Sequence, residues 1–316
     1  MSYNGITLLR AIAAFFIVGC HLQLLPRTTA GSLVTSLSDM NVGLFASISG
    51  FLLVRSLEGN VTLCDYVRKR AKRLLPIYVV WTVFYLLSSL VFAVTLKGGI
   101  PTGKYSAWKF WFDVVFWGGA SCHLWFVISL FYANVLLAGC YKLCKRYIGV
   151  LSLILGVALV LCATISPIFL LTYPCRLFGF VALGMAIKSA LGDVKTSRLV
   201  GYTLLMLAFV FYYILSGYLH PFLRDMFLVL CILVVFSRKE MPLFGGKRME
   251  CLSRCSMGVF LIHPFFAAGM DALIHRICAA PYSASIVIVD WFLVYTLAFV
   301  CTMAMFRVGA FSRFVK

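Results

Sequence analysis

Residues 8–25 read LLRAIAAFFIVGCHLQLL, and this stretch decides how the chain is to be read. It is an apolar run of membrane-spanning length, broken by two polar side chains, Arg10 and His21, eleven positions apart. At about 100° per residue, eleven steps make about 1100°, within roughly 20° of three full turns, so one helix would place both groups on one face. The rise of 1.5 Å per residue separates them by about 16 Å along the axis. A guanidinium and an imidazole inside a bilayer are costly unless they face protein or water. A snorkelling Arg and a packing His would be the plain alternative.

The rest of the chain agrees with a membrane setting. Of its 316 residues, 63% are hydrophobic and 12% are charged, with a mean hydropathy of +1.01. Ordinary soluble domains are about 45–50% apolar and about 25% charged. The net charge of +18 does not indicate a nucleic-acid partner, because the basic residues lie in short clusters between apolar runs. That is the positive-inside pattern. None of the twelve Cys has zinc spacing, so no metal is expected. The first run lacks a small-residue cleavage site and carries Arg10, so it is expected to be a retained helix rather than a signal peptide.

Apolar runs recur at about 8–25, 41–57, 74–95, 124–141, 148–167, 174–190, 199–217, 222–237, 257–274 and 284–306. The expected fold is an all-α, polytopic bundle of about ten transmembrane helices, forming a single membrane domain over 1–316. Only Gly217–Pro221 separates the seventh run from the eighth, which requires a tight hairpin. One set of loops carries Arg68, Lys69, Arg70, Lys72 and Arg73, then Lys142, Lys145 and Arg146, then Lys195 and Arg198, then Arg238, Lys239, Lys247, Arg248 and Arg254. The opposite set carries only Arg27, Lys97, Lys104, Lys109 and Arg276. Both termini are therefore expected in the cytoplasm. The outer loops include 26–40 and 96–122, and KFWFDVVFW within the second has the pattern of an interfacial segment.

With this orientation Arg10 lies toward the cytoplasm and His21 toward the outside. The inner end suits an anion, and the outer end suits proton transfer near neutral pH. DYVRKRAKRLLPIY, Asp65 to Tyr78, holds five basic residues in six positions. It reads either as a topogenic or lipid-binding cluster or as a phosphate clamp. Arg70 and Arg73 share a face if it is helical. In SCHLWFVISLFY, Ser121 to Tyr132, His123 and Trp125 fall on the same outer side as His21. Trp there also fits an ordinary aromatic belt. His263, in SMGVFLIHPFF, is either a packing His bonded to a carbonyl or a substrate-side group. Ser47, Ser49 and Gly50 in VGLFASISGFLL make a small-residue face for close helix packing. Arg176 and Arg224 are further intramembrane charges that need partners, and Asp225 beside Arg224 would point another way on a helix.

Taken in order, these segments resemble the acyltransferase-3 family of integral membrane acyltransferases. The family's Arg-x10-His first helix is matched by Arg10 and His21, its FFxxSGFL by LFASISGFLL, and its RLLP stretch by RKRAKRLLPIYVVW. Its HLWFL and YLLH elements resemble HLWFV at 123–127 and FLIH at 260–263. Where many members carry an acidic pair after the Trp, this chain reads WFVISLFY. It is similar in that respect to the shorter subgroup that modifies enterobacterial common antigen and exopolysaccharides.

The resemblance implies an enzyme of the bacterial cytoplasmic membrane. It would move an acyl group, most often acetyl, from acyl-CoA (acetyl-CoA) to a hydroxyl of a cell-surface or lipid-linked glycan. It implies His21 as the catalytic residue, Arg10 at the acyl-donor site, and Arg68, Arg70 and Arg73 as candidates for holding coenzyme A phosphates. His123, Trp125 and His263 remain substrate-side candidates. Membrane lipids are the other expected partners. A transporter or flippase for a lipid-linked glycan or a small anion is the rival reading, since intramembrane arginines suit it too.

Overall fold

The computed structural model describes residues 4–316 except 21–28, 60, 97–111, 113–120, 122, 166–168, 192–197, 215–217, 238–245, 278–283, 310 and 316. Ten α-helices run through the described residues, with no strand among them. They are α1 (Asn4–Gly19), α2 (Thr29–Leu57), α3 (Leu63–Leu96), α4 (Trp125–Leu143), α5 (Ile148–Ile165), α6 (Phe169–Leu191), α7 (Arg198–Ile214), α8 (Pro221–Phe236), α9 (Lys247–Ile277) and α10 (Ala284–Arg307). Six segments, in α2, α3, α4, α5, α9 and α10, are long and apolar enough to cross a membrane. The chain is a multi-pass helical membrane protein.

Several helices outrun their apolar cores. α2 starts at Thr29, twelve residues before the expected 41, so most of the expected outer loop 26–40 is helix. Its polar lead is tied to the helix itself: the Asn41 amide donates to the Leu37 carbonyl at 2.6 Å. α3 starts at Leu63 rather than 74. Thr62 caps it, accepting from the Asp65 amide at 3.1 Å and donating to the Asp65 carboxylate at 2.7 Å. Lys and Arg are good helix formers, so the basic run continues the helix even though hydropathy does not mark it. α9 likewise starts at Lys247, and its exposed first turns carry an Arg254–Glu250 pair at 2.6 Å. α8 starts at Pro221 with His220 as its cap, the ring Nδ1 accepting from the Phe222 amide at 3.3 Å. α1, by contrast, ends at Gly19, short of the expected 25.

α5 is inverted relative to a soluble helix. It buries Ser152, Gly156, Val160 and Ala163 while exposing Val150, Leu153, Ile154 and Leu161. Small groups let helices approach, and large apolar groups meet lipid.

The chain divides into two compact units, residues 1–54 with 146–316, and residues 55–145. In the first, α1 packs along α9 and also touches α8 and α10. Gly5 lies against the Phe236 carbonyl, where no side chain would fit. At the other end of α1, the Trp291 indole stacks on Phe15 at 5.3 Å and donates to the Phe15 carbonyl at 2.9 Å. α2 meets α6 through the expected small-residue face. Gly50 lies on the Val181 carbonyl, Gly184 on the Ser47 carbonyl, and Ser47 Oγ donates to the Phe180 carbonyl at 3.0 Å. In the second unit α3 packs against α4.

Candidate functional site

Arg10 sits half-buried in the middle of α1, where its Nη2 donates to Ser256 Oγ of α9 at 3.3 Å. The turns around it are closed by Leu9, Ala13, Ala14 and Ile17, all buried. A charge on this helix is thus turned toward a protein hydroxyl, as an intramembrane guanidinium requires. His21 lies outside the described residues, two positions beyond the last residue of α1.

His263 is fully buried on α9, and its Nδ1 is bonded to the Val259 carbonyl one turn back at 3.0 Å. Against a carbonyl that nitrogen must donate, which in the neutral ring leaves the lone pair on Nε2. This is the packing arrangement that the sequence allowed for. Seven residues separate His263 from Ser256, about 20° short of two full turns, so they share a face of α9.

The basic run lies in the second unit and is helical throughout. Arg70 and Arg73 therefore share a side of α3, while Arg68, Lys69, Lys72 and Arg73 are exposed. Arg70 is held in a directed chain. Its Nε donates to the Tyr66 hydroxyl at 3.0 Å, that hydroxyl donates to Asn134 Oδ1 at 3.0 Å, and the Asn134 amide donates to the Leu130 carbonyl at 2.7 Å. The guanidinium also lies 5.2 Å from the Tyr66 ring centre. In the same unit His123 is buried, with Nδ1 2.9 Å from Ser121 Oγ and its ring edge-on to Tyr85 at 4.9 Å. Trp125 opens α4 half-buried against Phe126.

Arg176 and Arg224 are charges within apolar runs and need partners. The structure pairs Arg176 with Asp225. Nη2 of Arg176 donates to Asp225 Oδ2 at 2.8 Å and to the Asp39 carbonyl at 3.2 Å. Tyr212 donates to the other carboxylate oxygen at 3.2 Å. The Arg176 and Arg224 guanidinium carbons lie 4.4 Å from the ring centres of Phe222 and Tyr212 respectively. Arg176 is 6% exposed and Asp225 is 2% exposed, so the network joins α2, α6, α7 and α8 inside the first unit. Lys188 is also buried in that unit, 5.7 Å from the Phe51 ring centre. Among the described residues no group of three or more His, Cys, Asp or Glu is placed to hold a metal ion.

The described residues thus form a helical membrane bundle with a guanidinium within its first helix and a basic, capped start to its third. Residues 3–307 match the acyltransferase domain of the acyltransferase-3 family. The chain belongs to that family and is an acyltransferase acting on groups other than aminoacyl groups. No curated protein matches it significantly. No solved structure matches it significantly either.

Proposed function

We propose that this enzyme sits in the bacterial cytoplasmic membrane and takes an acetyl group from acetyl-CoA on the cytoplasmic side. It transfers that group to a hydroxyl of a cell-surface or lipid-linked glycan on the outer side. The observation that carries the reading is Arg10, a charge retained on an otherwise apolar first helix and bonded to Ser256 within an acyltransferase fold.

In this reading the donor's phosphates meet Arg68, Arg70 and Arg73. Arg70 suits the task because the Tyr66–Asn134 chain fixes its Nε side while a guanidinium offers five donors in all. Arg10 serves the acyl-donor site, and the thioester carbon is presented to His21. His21 as a neutral imidazole takes the proton of the sugar hydroxyl while that oxygen bonds to the acyl carbon, and coenzyme A leaves as the thiolate. A two-step route through an acyl-imidazole uses the same groups. His123, Trp125 and His263 serve the acceptor side.

General-base loss costs about 10²–10⁴ in rate. Purified His21→Ala should therefore release coenzyme A from acetyl-CoA at least a hundredfold more slowly, and cells carrying it should lose an acetyl mass from their surface glycan. Unchanged O-acetylation at normal protein levels would refute the role of His21. Acceptor flux in liposomes without coenzyme A release would favour transport instead.

A further inference from the structure

Ser256 does more than fill space between α9 and α1. Its hydroxyl has one hydrogen, and that hydrogen is committed to the Ser253 carbonyl at 2.7 Å, one turn back on the same helix. The oxygen therefore presents lone pairs to Arg10, whose Nη2 lies 3.3 Å away. An acceptor oriented in this way suits a cation. Ser256 is 1% exposed and Ser253 is 4% exposed, so neither hydroxyl is there for solvation by bulk water. His263 continues the same face of α9 two turns further on, itself fixed by the Val259 carbonyl.

We infer that Ser256 is a positioning residue for the acyl-donor site: it fixes the Arg10 guanidinium in the orientation in which the arginine meets the acyl-CoA arm. This rests on the reading of Arg10 as a donor-site residue. Arg is a long, rotamer-rich side chain, and ordering it opposes binding. A bond made before the donor arrives removes part of that opposition. The donor then binds to a guanidinium already in place.

The test is a double-mutant cycle on the full chain in lipid nanodiscs, with coenzyme A and acetyl-CoA as probes. Ser256→Ala should weaken coenzyme A binding about tenfold, close to the low end of the effect of losing a hydrogen bond to a charged group, because the bond acts through Arg10. It should raise the KM for acetyl-CoA more than it lowers kcat. Ser256→Thr, which keeps the hydroxyl, should restore most of the affinity. In an Arg10→Ala background, Ser256→Ala should change binding no further. The same tenfold loss with and without Arg10 would overturn the inference, as would full affinity in Ser256→Ala. If Arg10→Ala itself binds coenzyme A normally, the donor-site reading of Arg10 fails, and the positioning role falls with it. Should Ser256→Ala not yield monodisperse protein, the near-isosteric Ser256→Cys takes its place, with an intermediate loss of affinity expected and an unchanged affinity counting against the inference.

Discussion

Asp225 shows what a single carboxylate must satisfy inside this bundle. It accepts from Arg176 and from Tyr212, one on each carboxylate oxygen. Removing one partner of a buried pair leaves the other uncompensated, at about 3–5 kcal/mol. Asp225→Asn should therefore lower the thermal midpoint of the purified protein sharply. Tyr212→Phe, which removes one bond to a charged acceptor, should cost about 1.5–3 kcal/mol. A smaller loss for Asp225→Asn than for Tyr212→Phe would show that the pair is not the centre of the network. Both arginines were legible as anomalies in apolar runs. The partner of Arg176 was not, because Arg176 and Asp225 are 49 positions apart and only packing brings them together. Arg10 was legible for the same reason and had a similar answer: its bond to Ser256 spans 246 positions. Tyr66 gave no signal in sequence, being an ordinary aromatic until its hydroxyl is seen between Arg70 and Asn134.

At the scale of elements, close approach decides more than propensity does. A Cβ on Gly184 would collide with the Ser47 carbonyl, and backbone cannot yield as a side-chain tip can. Gly184→Ala should therefore push α6 off α2, costing about 1–3 kcal/mol or more and reducing monodispersity on size exclusion. Gly139 on α4 is the control. A Cβ there would meet nothing within 4 Å, so Gly139→Ala should be neutral or gain up to about 1 kcal/mol of helix propensity. Equal behaviour of the two variants would mean that contact between α2 and α6 is not close-packed. The small-residue face on α2 was readable because Ser47 and Gly50 stand out among larger apolar residues. The starts of α2, α3 and α9 were not, because hydropathy marks where a helix meets lipid, whereas Thr62, Asp65 and the basic run extend α3 outside it.

Across the whole molecule, α7 and α8 are, with α1, the shortest helices. α7 has 17 residues and α8 has 16, so at 1.5 Å per residue they rise about 24–26 Å against a hydrocarbon core of about 30 Å. Local thinning or burial within the bundle accommodates such a mismatch at modest cost. The loop charges suit a crossing pair: Lys195 and Arg198 lie at the start of α7, Arg238 and Lys239 follow α8, and the turn between α7 and α8 carries no Lys or Arg. A pair of helices that dipped in and returned would leave those basic segments on the same side, so the sidedness of the C-terminus cannot distinguish the two arrangements. Tyr218 can, because it lies 86% exposed in the turn before the His220 cap. In a background without reactive native cysteines, Tyr218→Cys should be labelled by a membrane-impermeant maleimide in intact cells. Lys145→Cys, exposed between α4 and α5, should be labelled only after lysis. Labelling of both only after lysis would make α7 and α8 a re-entrant pair.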